Sequence, residues 1–157
     1  MSRAKRETAA DWLMLLAAPI LVGSLFLVWS HQFSVAVQSQ YGATAALQTV
    51  PRNPTGWQIY SSADVLLALL AASLLGAALR GGRAARLVMV LGVGVGLAFT
   101  LHALAVPPTD GANLFDPTLS PPAYTPNSPA AGPGETLALV GLGLGLAGLL
   151  VSFTVDA

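Results

Sequence analysis

The sequence predicts an all-α membrane protein: four transmembrane helices in an antiparallel bundle, both termini inside and two loops outside. Three observations predict it. Of the 157 residues 54% are apolar and 9% charged, with a mean hydropathy of +0.68, which is too apolar for an ordinary soluble domain. There are four apolar runs, each close to the roughly 20 residues that cross a hydrocarbon core about 30 Å thick. The cations are segregated: Arg3, Lys5, Arg6, Arg80, Arg83 and Arg86 flank apolar runs, and Arg52 stands apart. Cationic flanks stay in the cytoplasm. The chain therefore reads as one transmembrane domain over 1–157, in the plasma membrane, with helices near 10–31, 61–80, 84–106 and 135–155 and outer loops near 32–60 and 107–134.

The first helix follows a basic head, with Thr8 placed to cap it and Asp11 three residues on, the spacing of a capping box. The run from Trp12 to Trp29 is uncharged and about 27 Å long at 1.5 Å per residue, with an interfacial tryptophan at each end. Pro19 removes one helical hydrogen bond inside it and predicts a kink. A basic head before an apolar stretch is also the pattern of a signal peptide, with Ser34-Val35-Ala36 as a cleavage site, but this run is longer than a usual signal core.

The first outer loop is polar and ends in the turn-rich Pro51 to Gly56. Within it Phe33 to Leu47 fits either an extension of the first helix or a short strand. Trp57 and Tyr60 mark the next interface, and Ser61 with Asp64 repeats the capping-box spacing at the start of the second helix. Arg80 and the Gly81-Gly82 pair end that helix, and the turn to Arg86 holds three of the seven cations. The third run stops at Pro107-Pro108. Between it and the fourth run lies a segment with eight of the eleven prolines and no Lys or Arg, which lacks the apolar period needed for a core of its own and is expected to lie extended on the surface, held by Phe115 and Tyr124.

Gly92 with Gly96, and Gly141 with Gly145, form small-x-x-x-small pairs, and the expectation is close packing of the third helix on the fourth or of two copies of the chain. A Gly-x-Gly-x-Gly run also invites a phosphate-loop reading. No strand precedes it and no Lys-Ser/Thr follows, so that reading fails.

Four ionisable side chains fall at similar depth near the outer ends of the helices: His31, Asp64, His102 and Glu135. Asp64 and Glu135 are helix-start acids favoured by the dipole, and His31 adjoins Trp29. His102 has the least trivial position, about one turn inside the lipid boundary. It is expected to face the bundle interior and meet a polar group, Asp64 first. These four form the candidate site, a proton-sensitive or ligand-binding polar cluster, with no metal and no cofactor expected. With no cysteine, disulfides and thiolate chemistry are excluded. Ser24, Ser73 and Thr100 sit within helices without a nucleophile elbow and are expected to bond back to their own backbone. No enzyme activity is expected, and without a basic, aromatic-interleaved face nucleic acid is not an expected partner.

At Trp29-Ser30-His31-Gln32-Phe33, Trp57 to Leu67 and Leu101 to Gly111 the chain resembles small, uncharacterised four-helix integral membrane proteins of actinobacteria. The resemblance implies a four-span fold in the cell membrane and carries no functional residues. Two roles follow from the whole sequence. Ranked first is a structural or accessory protein whose partners are the lipid bilayer and another membrane protein or a second copy of itself. The alternative is a sensor or small-solute handler using the outer polar cluster.

Overall fold

The computed structural model of the protein describes residues 3–31, 53–80, 82–106 and 130–154. The described residues form α1 (Arg3–Leu25), β1 (Ser30–His31), a short α2 (Gly56–Ile59), α3 (Ser61–Arg80), α4 (Arg83–Ala105), β2 (Ala130–Ala131) and α5 (Pro133–Phe153). Helices α1, α3, α4 and α5 are long and apolar enough to cross a membrane. The readings of Phe33 to Leu47, of Ser34-Val35-Ala36 and of the proline-rich segment with Phe115 and Tyr124 lie outside the described residues.

α1 begins and ends earlier than the expected 10–31. Thr8 is not its cap, because the hydroxyl donates to Ala4 O at 2.9 Å inside the helix, the back-bonding that helical hydroxyls adopt when their own turn is complete. Asp11 does not complete a capping box either; its carboxylate lies 3.9 Å from Arg86. At the other end Phe26 N donates to Gly23 O and Leu27 N to Ser24 O, at 3.2 and 3.1 Å. These i to i+3 bonds tighten the last turn and release the chain six residues before the expected end.

α3 and α4 occupy Ser61–Arg80 and Arg83–Ala105, against the expected 61–80 and 84–106. The capping box lies one short helix upstream of the expected Ser61 and Asp64: Thr55 N donates to Gln58 Oε1 at 3.0 Å. Asp64 caps nothing among the described residues, where neither of its oxygens accepts a hydrogen bond. α5 starts two residues before the expected 135, with Pro133 in its first turn, where a missing N–H costs nothing.

The deepest packing joins α1 to α5. On α1 the buried residues Ala10, Met14, Ala17, Leu21 and Ser24 recur at helical spacing, and on α5 Gly134, Ala138, Gly141, Gly145, Gly148 and Ser152 do the same. A Cβ on Gly141 would lie 3.0 Å from Leu21 N and 3.2 Å from Ala17 O, and one on Gly148 2.9 Å from Ala10 O. Lipid tails give no hydrophobic drive between helices, so backbones must come this close for dispersion to hold them. Gly134, Gly141 and Gly148 thus face the first helix, whereas a Cβ on Gly145 would meet Leu74 of α3 at 3.1 Å before Ala17 of α1 at 3.5 Å; of the four glycines expected to pack the third spanning helix on the fourth, Gly96 lies at that contact. A Cβ on Gly92 would meet Leu70 at 3.0 Å, and one on Gly96 would meet Leu142 at 3.1 Å and Leu70 at 3.2 Å; the glycine pairs do not meet each other.

Replacing Gly141 by Ala is expected to lower thermal stability in detergent by about 1–3 kcal/mol, the usual cost of overpacking. Gly143 has nothing within 4 Å of a Cβ, so Gly143→Ala should be neutral or stabilise by up to about 1 kcal/mol through helix propensity. Equal losses at both positions would contradict the α1–α5 contact.

Candidate functional site

The site is built where α1 ends, α2 and α3 begin, and α5 begins. After Leu25 the chain folds back and Trp29 is drawn under: its N donates to Pro54 O at 3.0 Å and its indole Nε1 to Ser24 O at 2.8 Å. The start of α5 is tied to the same stretch, with Gly132 N donating to Trp29 O at 2.9 Å and Gly134 N to Val28 O at 2.8 Å. Ser30 and His31 pair with Ala131 and Ala130 in a two-stranded antiparallel sheet, and Val28 bridges Thr55.

Two glycines make room for the indole. A Cβ on Gly134 would lie 2.7 Å from Trp29 Nε1, and one on Gly56 3.0 Å from the same atom. Around the buried Trp29, Tyr60 packs edge-on with centroids 5.9 Å apart at 73°, and Phe99 meets Tyr60 at 5.1 Å and 74°. Edge-to-face pairs of this kind add about 0.5–1.5 kcal/mol beyond their buried area. Trp29 was expected as an interfacial anchor, and Trp57 and Tyr60 as an interface marker. Instead Trp29 is fully buried, and Trp57 and Tyr60 pack against the core.

Behind these rings lie the two acids. Asp64 and Glu135 are both 0% exposed, and none of their four carboxylate oxygens has a hydrogen-bond partner among the described residues. Asp64 Oδ1 sits 3.3 Å from where a Gly56 Cβ would be, a point also 3.2 Å from Leu25 O. Glu135 lies beside the Gly132 N–H, but that group already donates to Trp29 O. Tyr60 is near enough to both acids to feel them. Its hydroxyl is pushed up to about 12, first by burial and then by the negative charges of Glu135 and Asp64. Trp57 Nε1 is a further buried donor without a partner among the described residues.

The two histidines are not part of this arrangement. His31 is exposed, and its ring Nδ1 lies 2.8 Å from Asn53 Oδ1. His102 is exposed as well, which corrects the expectation that it faces the interior and meets Asp64. The reason is helical phase: α4 buries Met89, Val93, Gly96, Thr100 and Ala103, and a residue between Thr100 and Ala103 on that stripe points elsewhere. Of the four expected residues the fold brings Asp64 and Glu135 into one buried end and leaves both imidazoles outside it. Among the described residues no three His, Asp or Glu side chains gather closely enough to hold a metal ion. Ser24 and Thr100 hydroxyls donate back to Leu21 O and Gly96 O, at 2.6 and 2.9 Å.

Trp29, Tyr60, Phe99, Gly56 and Gly134 were not singled out as site residues from the sequence. The signal for the glycines was present in the Gly132-Pro133-Gly134 run, where small residues bracket the start of a helix. Compared with known protein families, curated proteins and solved structures, the chain matches none.

Tyr60 offers a direct titration. A hydroxyl whose folded value of about 12 lies above its ordinary 10.0 favours the fold while protonated, so stability is retained below pH 10 and falls as pH climbs towards 12. Tyr60→Phe should remove that alkaline loss. In Asp64→Asn/Glu135→Gln, absorbance titration should find Tyr60 ionising at lower pH than in the wild type but still above 10, because burial is the larger cause. An unshifted Tyr60 in the double variant would show that the acids are not its neighbours.

Proposed function

We propose that the chain is a multi-pass plasma-membrane protein that responds to protons or to a small cation through Asp64 and Glu135, with no enzymatic step. The observation that carries this reading is the pair of fully buried carboxyl groups whose four oxygens have no hydrogen-bond partner among the described residues. An unpaired buried carboxylate is among the most expensive groups a fold can hold, and acids inside spanning helices mark ion or proton sites. Each must take up a proton or share a cation. The Trp29, Tyr60 and Phe99 rings keep water from doing this work, and Leu25 O supplies a further oxygen near Asp64. A structural or accessory role, ranked first from sequence, gives these two groups no use and takes second place.

The topology belongs to the same proposal. We infer an antiparallel bundle with both termini and the Arg80–Arg86 turn in the cytoplasm, which puts the two acids near the outer surface. The α1–α5 contacts support it: Gly134 adjoins Ser24, Gly141 adjoins Ala17 and Leu21, and Gly148 adjoins Ala10 and Met14. The approach of Arg86 to Asp11 supports a shared inner end for the turn and the N-terminus. The resemblance to small actinobacterial four-helix membrane proteins is consistent with this topology and is part of the proposal.

Intrinsic fluorescence tests the functional reading, since Trp29 Nε1 and Asp64 Oδ1 both border Gly56. Acidification, or exchange of Na⁺ for choline, should shift the emission of the purified wild-type protein and leave Asp64→Asn/Glu135→Gln unmoved. The same double variant should lose the stability change that the wild type shows as pH rises through neutrality, because an amide cannot ionise and so never places a charge in the buried end. A wild-type protein indifferent to both ions, or a double variant that responds equally, rules the proposal out.

A further inference from the structure

α3 ends at Arg80 and α4 starts at Arg83, yet these sequence neighbours touch less than any other pair of spanning helices that pack together. Some of their small residues serve no helix contact. A Cβ at Gly76 or at Gly94 would meet nothing within 4 Å, in contrast to Gly141, Gly145 and Gly148 of α5. Between the two helices runs an open groove with two hollows. The hollow at the turn end measures about 480 Å³ and is lined by Ser73, Gly76, Ala77, Arg80, Val88 and Met89 among others. The second, about 390 Å³ and almost wholly apolar, lies between Leu66, Leu70, Gly92, Val95 and Phe99. Leu70 reaches across to Gly92 and Gly96.

Two arginines stand at the turn end of this groove, one in its lining and one at the start of α4. Arg80 lines it and is exposed, Arg83 opens α4 and is exposed, and neither has an ion pair among the described residues. No Asp or Glu occurs anywhere between Asp64 and Asp110. Arg86, by contrast, already has Asp11. From Arg80 to Leu70 the groove extends about 15 Å at 1.5 Å per residue, half of a hydrocarbon core about 30 Å thick. That is the depth of one leaflet.

We infer that the α3–α4 groove is a binding site for an anionic phospholipid, its phosphate held by Arg80 and Arg83 and one acyl chain lying along Ser73, Gly76 and Met89 as far as Leu70. Guanidinium groups pair with phosphate through two parallel hydrogen bonds, and basic pockets between spanning helices are where such headgroups settle. A second copy of the chain fits less well. A two-fold contact through this face would bring Arg80 and Arg83 of both copies together, and like charges facing each other oppose it. A zwitterionic lipid would leave the two arginines without their counter-charge. The inference needs only that the bundle is embedded in a bilayer, so it stands or falls separately from the role of Asp64 and Glu135.

The test is the melting temperature of the full chain in detergent, with phosphatidylglycerol or phosphatidylcholine added. Phosphatidylglycerol should raise it more than phosphatidylcholine does. Arg80→Gln/Arg83→Gln should lose most of that difference, Arg80→Lys/Arg83→Lys should keep part of it, and Gly76→Leu, which fills open space, should lose it with every arginine in place. Lys5→Gln/Arg6→Gln, two cations away from the groove, should keep it whole. The inference is overturned if the two lipids act alike, if the Lys5/Arg6 variant loses as much as the Arg80/Arg83 variant, or if Gly76→Leu keeps the lipid effect. It is equally overturned if sizing shows Gly76→Leu splitting a dimer, since the groove then holds a second copy.

Discussion

Everything at the buried end of this bundle depends on how closely α1 approaches α5. Helices usually pack at 8–10 Å between axes, and closer approach requires that side chains vanish from one of the two faces. α5 meets that requirement with Gly134, Gly141 and Gly148 against Ser24, Leu21, Ala17 and Ala10. In lipid, where burying apolar surface gains little, contact between backbones is what holds two helices together. The consequence is felt past the helix ends. Because α5 starts against the last turn of α1, the Val28–Trp29 backbone can accept the Gly132 and Gly134 N–H groups, and the chain after α1 is folded inward.

That inward fold decides the chemistry. Trp29 occupies the place where a helix continuing to residue 31 would have opened to the membrane surface, and its indole satisfies Ser24 O. Tyr60 and Phe99 then close around it, and Asp64 and Glu135, each in the first turn of its helix, are shut behind the rings. A helix N-terminus favours an acid by about 0.3–1 kcal/mol when exposed, far less than burial of an unpaired charge costs. The dipole alone is therefore too small to account for two acids held this way.

The four apolar helices were legible because run length and charge segregation are properties of the chain itself, and the ends of α3 and α4 were marked by Arg80, Gly81 and Gly82. The ends of α1 were not legible. Thr8 and Asp11 have the spacing of a cap, but a longer helix absorbs one and Arg86 draws the other, and both effects depend on neighbours distant in sequence. The glycine stripe was visible, its partner was not: spacing reports which face of α5 is small without saying which helix lies against it. Asp64 and Glu135 could be picked out as acids at helix starts, whereas their burial follows from Trp29, whose inward turn is set by Pro54 and Gly132. His102 illustrates the reverse, since the phase of Gly96, Thr100 and Ala103 already excluded it from the interior.

Sealing of the two acids from water can be measured directly by carboxyl labelling and mass spectrometry of the protein in lipid. A hydrophobic carbodiimide should modify Asp64 and Glu135, while a water-soluble one modifies the exposed Glu7 and spares both; opening the rings with Trp29→Ala should then admit the water-soluble reagent. If the water-soluble reagent labels Asp64 and Glu135 in the wild-type protein as readily as it labels Glu7, the acids are not buried and the site as described here does not exist.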